Sequence, residues 1–106
     1  MKKLVFISSP LRGDIEGNIK KANEYCKMAV EEGVIPLAPH TIFTQFLDDG
    51  IYEERRLGMM LGIELLTHCA ELWVCGCGIS EGMQWEIDYA KQLGIPVVYK
   101  GKWLDD

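Results

Sequence analysis

The chain carries little that would mark a secreted, membrane-spanning or nucleic-acid-binding protein. It has only four cysteines in 106 residues. Cys26, Cys69, Cys75 and Cys77 sit in or beside apolar segments, with no loop-rich framework around them, so they read as reduced thiols of a cytoplasmic protein. Long apolar runs are missing. Leu4-Val5-Phe6-Ile7 follows Lys2-Lys3 but stops at Ser8-Ser9-Pro10, too short for a signal core or a membrane span, so no membrane partner is expected. Positive charge is scarce: 11 Lys and Arg face 16 Asp and Glu, for a net charge of -5. Lys2-Lys3, Lys20-Lys21 and Arg55-Arg56 are the nearest approach to clusters, so a phosphate-tracking groove for nucleic acid is not expected. One helix terminus and one arginine would still suffice for a small anion. Cys75-x-Cys77 offers two metal ligands and no second pair, and a C-x-x-C dithiol is absent. Neither a metal nor a cofactor is expected.

What is present is the composition of a globular protein, 48% hydrophobic and 25% charged. The length fits one domain, residues 1–106, whose modest core makes a homo-oligomer a reasonable expectation. Lys3 to Ile7 is a continuous apolar run of the kind found in strands covered on both faces. Ile15 to Glu32 has apolar or small residues at helical spacing, with Asp14 or Asn18 to cap it and Gly33 to stop it. Val34–Leu37, Leu72–Cys75 and Ile95–Tyr99 read as further strands. Thr41–Leu47 reads as a short helix broken by Asp48-Asp49-Gly50. Glu53–His68 and Glu81–Leu93 read as long helices, the former weakened by Gly58 and Gly62. Met59, Met60 and the leucines near them read as core or interface packing.

The order β-α-β-α-β-α-β, with right-handed crossovers, predicts an α/β fold. It is a doubly wound parallel four-stranded sheet in three layers, flavodoxin-like or Rossmann-like, with strand order 2-1-3-4. Ligands of such sheets bind beyond the carboxyl ends of the strands, where the order reverses. Two loops fall there: Ser8-Ser9-Pro10-Leu11-Arg12-Gly13 and Gly76-Cys77-Gly78-Ile79-Ser80-Glu81-Gly82. In the second, Ser80 can cap the following helix, and Gly82 allows another group to approach its first-turn amides. Glu86 lies six residues after Ser80, at the border between a core face (Ile87, Ala90) and the cleft. It is either a functional carboxylate or a solvated residue of a capped amphipathic helix. Ser8, Ser9, Arg12 and Gly13 form either an anion-binding loop or a plain βα turn with a surface arginine. His40 either lines the cleft or sits neutral at the surface, and Trp85 is either an aromatic wall or simply buried.

Three stretches, VFISSPLRGD, LAPH and ELWVCGCGISEGMQWEIDYAKQLGIPVV, resemble an uncharacterised bacterial and phage family related to nucleoside 2-deoxyribosyltransferases. The resemblance runs from Lys3 to Tyr99. It implies cleavage or exchange of the N-glycosidic bond of 2'-deoxynucleosides or their 5'-monophosphates. Glu86, in Gly82-x-x-x-Glu86, would be the nucleophile, kept ionised near neutral pH by nearby helix amides. Ser80, at the spacing of a phosphate-binding serine, and Leu11-Arg12-Gly13 would anchor a 5'-phosphate. The relatives' orienting aspartate falls at Ile63, with Glu64 next to it as a substitute lining residue, and their aspartate at the start of strand 3 is Glu71 here. Two other function classes fit the same residues: a non-catalytic nucleotide-binding module, in which Glu86 is dispensable, and an oligomeric interaction protein with no concave site between the two loops.

Overall fold

The computed structural model describes residues 1–101, so residues 102–106 of the expected 1–106 domain lie outside the described residues. Strand β1 (Leu4–Ser8) leads into α1 (Ile15–Glu31), β2 (Ile35–Leu37), α2 (Pro39–Phe43), α3 (Tyr52–Leu66), β3 (Glu71–Cys75), α4 (Glu81–Gln92) and β4 (Val97–Gly101). The four strands are parallel in the order β2-β1-β3-β4, as the sequence predicts. Strands β1 and β3 are therefore neighbours, with Ser8 opposite Val74 at their carboxyl ends.

Strand alternation sends successive side chains to opposite faces, and both faces here are covered. Val5, Ile7, Trp73 and Cys75 pack with Tyr25 and Ala29 of α1 on one side. Phe6, Leu72 and Val74 pack with Ile63 and Leu66 of α3 and with Met83, Ile87 and Ala90 of α4 on the other. That two-sided burial is why the strands read as unbroken apolar runs.

Local chemistry moves some boundaries. Helix α2 begins at Pro39, ahead of the expected Thr41, because proline's fixed φ and missing N–H suit a first helical position. Strand β4 begins at Val97, not Ile95, because the Ile95 amide still donates to Ala90 of α4 (2.8 Å). Asp14 caps α1 by accepting from the Gly17 amide. Asn18, the other cap candidate, instead donates to the carbonyls of Leu11 (3.0 Å) and Arg12 (3.3 Å) and so pins the loop after β1. Gly76 turns the chain out of β3 at φ +103°, where a Cβ would press on Pro10 and on the Tyr25 hydroxyl, each 3.3 Å away.

Candidate functional site

A cavity of about 270 Å³ opens at the carboxyl edge of β1 and β3, walled by the loop after β1, α2, the α2–α3 turn, one stripe of α3 and the start of α4. At its inner side two consecutive serines diverge, Ser9 lining the wall and Ser8 lying behind it. Ser8 shares the face of Phe6 and donates to Glu86 Oε1 on α4 at 2.7 Å. Ser9 points the other way and is hydrogen-bonded to His40 Nε2 on α2 at 3.1 Å. Glu86 and His40 are both half-buried and both line the cavity.

Burial governs how these two groups titrate. Desolvation raises the Glu86 carboxyl from 4.5 to about 7, against the smaller opposing pull of the Ser8 hydrogen bond. The expectation that helix amides keep it ionised at neutral pH is thus corrected. Glu86 sits in the second turn of α4, beyond the first-turn amides, and it is about half protonated near pH 7. Desolvation also lowers His40 to about 4, so its imidazole is neutral.

The outer rim holds charge of both signs. The Asp48 carboxylate accepts from the Gly50 amide (2.8 Å), closing an Asx-type turn, and Glu54 accepts from the Asp48 amide (3.0 Å). This turn presents Asp49 to the cavity, where its carboxylate meets Arg12 Nε at 3.2 Å and Arg55 Nε at 3.6 Å. Ser80 is the N-cap of α4: its hydroxyl accepts from the Met83 amide (3.2 Å), while its own amide donates to Met83 Sδ (3.4 Å). Gly82 follows on the rim, with the Arg55 guanidinium close by.

Six of the residues singled out in the sequence therefore line one cavity: Ser9, Arg12, His40, Ser80, Gly82 and Glu86. Four others do not. Ser8 lies behind Glu86, fully buried, and orients the carboxylate without facing the cavity. Gly13 sits outside the cavity wall, where its φ of +99° serves the turn alone. Glu64 is exposed on α3, because one residue beyond core-facing Ile63 turns the helix by about 100°. Trp85 leans on the core and meets Tyr89 edge-on (4.9 Å between centroids), one position short of Glu86. Glu71 is likewise structural: at the amino end of β3 it binds Lys3 and the Trp73 indole, each at 2.8 Å.

Sequence reasoning missed Asp49, Arg55 and the glycines of α3. Arg55, Gly58, Met59 and Gly62 all line the cavity, and their spacing of three and four residues places them on one helical stripe. Met59 thus belongs to the cavity wall, not to the core. The small residues explain why a helix tolerates two glycines: the volume their side chains would fill is left open.

Among the described residues, no helix is long and apolar enough to cross a membrane. None of the curated proteins matches the sequence. Among solved structures, the fold is similar to a 2-deoxyribosyltransferase from the psychrotolerant bacterium Bacillus psychrosaccharolyticus. The match has a TM-score of 0.70 and 17% identity, over 91% of this chain and 70% of that one. That enzyme is described as a biocatalyst for synthesis of antiviral and antitumoral nucleosides. At this identity the likeness shows the shared α/β fold alone. A family model covering residues 3–100 decides the nearer kinship: the chain belongs to DUF7768, a domain of unknown function.

Proposed function

We propose that the cavity binds 2'-deoxyribosides and breaks or exchanges their N-glycosidic bond, with Glu86 as the nucleophile. The observation that carries this reading is the Ser8–Glu86 pair at the cavity wall. The Ser8 hydroxyl holds Oε1 at 2.7 Å, which fixes the carboxylate and leaves Oε2 to approach C1' of a bound sugar. Attack by that oxygen would form a glycosyl ester while the base departs with the bonding electron pair and takes up a proton from solvent water. Water then gives hydrolysis, and the nitrogen of a second base gives exchange. A carboxylate that titrates near 7 is available as a nucleophile at neutral pH yet poorly solvated, which favours attack on a carbon developing positive charge. Neutral His40 is suited to hydrogen bonding with the ligand, not to protonating the base. The fold shared with a nucleoside-processing enzyme agrees with the reading.

The test is a screen of 2'-deoxynucleosides and their 5'-monophosphates with purified protein, reading released base by chromatography beside a Glu86→Gln control. Base release by wild type alone supports the reading. Ligand binding with no base release by either protein would replace it with the binding-module reading. Self-association belongs to the same proposal. Ile42, Phe46, Ile51, Tyr52, Leu57 and Met60 expose apolar surface on α2, α3 and the segment between them, and a second copy of the chain is the expected cover. Light scattering that gives a monomer mass across a wide concentration range would refute this.

A further inference from the structure

The groups that would hold a 5'-phosphate are already engaged within the chain. Among the described residues, Arg12 and Arg55 are the arginines that line the cavity, and no lysine lines it. Both turn Nε toward the same carboxylate, Asp49. Asp49 is well enclosed, with 13% of its side chain exposed, whereas Arg12 is 62% exposed. The Asp48–Gly50 turn and the Glu54 contact hold it there. At the start of α4, the Ser80 hydroxyl and the Ser80 and Met83 amides satisfy one another through the cap and the Met83 thioether. Two of the donors an anion would use at that helix end are thus taken.

Charge around the cavity points the same way. Among the described residues, Asp49, Glu54, Glu81 and Glu86 line it against Arg12 and Arg55, four carboxyl groups to two guanidinium groups. A phosphate dianion offers only acceptors and adds to the negative excess. A 5'-hydroxyl is uncharged and can donate a hydrogen bond to a carboxylate.

We propose that Asp49 is a specificity-determining residue of this site: by occupying the anion position between Arg12 and Arg55, it selects 2'-deoxynucleosides with an unmodified 5'-hydroxyl over their 5'-monophosphates. This rests on the deoxyriboside reading above and narrows it. It also reassigns Arg12, which serves to hold Asp49 and not to grip a phosphate. Asp49 acts on which ligand enters and not on the bond that breaks.

The experiment uses ligands that cannot be cleaved, 2'-deoxy-C-nucleosides with purine-like and pyrimidine-like bases, each with and without a 5'-phosphate. Affinities are measured by calorimetry on wild type and on Asp49→Asn, which keeps the side chain's shape and removes its charge. Wild type is expected to bind the unphosphorylated member of a pair about tenfold or more tightly than the phosphorylated one. Asp49→Asn should tighten binding of the monophosphate about tenfold and change the nucleoside by less than about threefold. A wild type that prefers the monophosphate would overturn the proposal, as would a folded Asp49→Asn whose preference is unchanged. Should that variant fail to fold, the wild-type preference decides alone. Binding of neither member by wild type would overturn the deoxyriboside reading and this proposal together. A monophosphate preference accompanied by base release from true substrates would overturn this proposal and leave the reading standing.

Discussion

The inner and outer sides of the cavity handle charge in opposite ways. On the inner side, Glu86 and His40 each meet a serine hydroxyl, Ser8 and Ser9. A hydroxyl orients an ionisable group but does not neutralise it, so burial dominates and moves Glu86 up to about 7 and His40 down to about 4. On the outer side Asp49 stands between two guanidinium groups, and charge is met with charge. The inner side is therefore suited to a reaction in which a carboxylate changes state, and the outer side to recognition of shape and charge.

The comparison breaks most visibly at Glu86. In Glu86→Gln, base release is expected to fall about 10³-fold or more, because an amide cannot form the glycosyl ester. The same variant should unfold less readily than wild type at pH 8. The unfolded chain loses the Glu86 proton near 4.5 and the native one near 7, so the native state loses relative stability as pH rises between those values. Removing the buried charge should therefore stabilise by about 2 kcal/mol at pH 8, a figure reduced for the water that reaches the cavity, and by nothing near pH 4. Urea unfolding at the two pH values measures this.

The titration itself supplies a second, smaller test. The logarithm of kcat/KM should rise with pH at a slope near one and level off around pH 7, as the nucleophile ionises. Because the Ser8 hydrogen bond lowers the Glu86 pKa, Ser8→Ala should move that midpoint to higher pH. A midpoint unmoved in Ser8→Ala would detach the serine from the carboxylate's chemistry.

His40 gives the mirror image in stability. The unfolded chain takes up the imidazole proton near 6.5 and the native one only near 4, so stability is lost as pH falls through that window. His40→Gln should remove this acid-side loss, so that the variant gains about 2 kcal/mol relative to wild type as pH falls from 7 to 4. Since the Glu86 and His40 windows overlap with opposite slopes, wild type should be flatter between pH 4.5 and 6.5 than either variant.

The smallest effect belongs to the cavity wall. Gly58→Ala adds a methyl whose nearest neighbour is Leu47 Cδ1 at 3.7 Å, an ordinary contact. It should stabilise α3 by about 0.5–1 kcal/mol while narrowing the cavity and raising KM. Thermal unfolding and steady-state kinetics read the two changes separately.

How much of this was legible in the sequence follows from the range of each interaction. The strands were visible because two-sided burial leaves continuous apolar runs, and the β2-β1-β3-β4 order followed from the βα alternation. Ser80 was readable as a cap because its partner, Met83, is three residues away. The state of Glu86 was not readable, because the burial that dominates it, like the hydrogen-bond donor 78 positions earlier in the chain, comes from tertiary packing. Asp49 looked like part of a helix breaker, since nothing in Asp48-Asp49-Gly50 announces the two arginines it meets. Glu64 and Trp85 failed by one residue each, the step that takes a helical side chain from one face to another. Gly58 and Gly62 were read as weak helix formers, whereas their four-residue spacing, joined to Arg55 and Met59, traced the cavity wall.

The tandem serine at the end of β1 also bears on how this strand tolerates insertion and deletion. Val5, Phe6 and Ile7 are apolar on both faces of the sheet, so a slip of one residue is not punished by exposing a hydrophobic side or burying a polar one, as it would be in a strand with one wet face. After deletion of one residue upstream, Ser9 would stand where Ser8 stood and still offer Glu86 a hydroxyl, while Pro10 would face His40 with nothing to share. The glutamate's partner is thus buffered against a one-residue deletion in the strand, and the histidine's is not. A deletion in β1 would be felt first on the α2 side of the cavity.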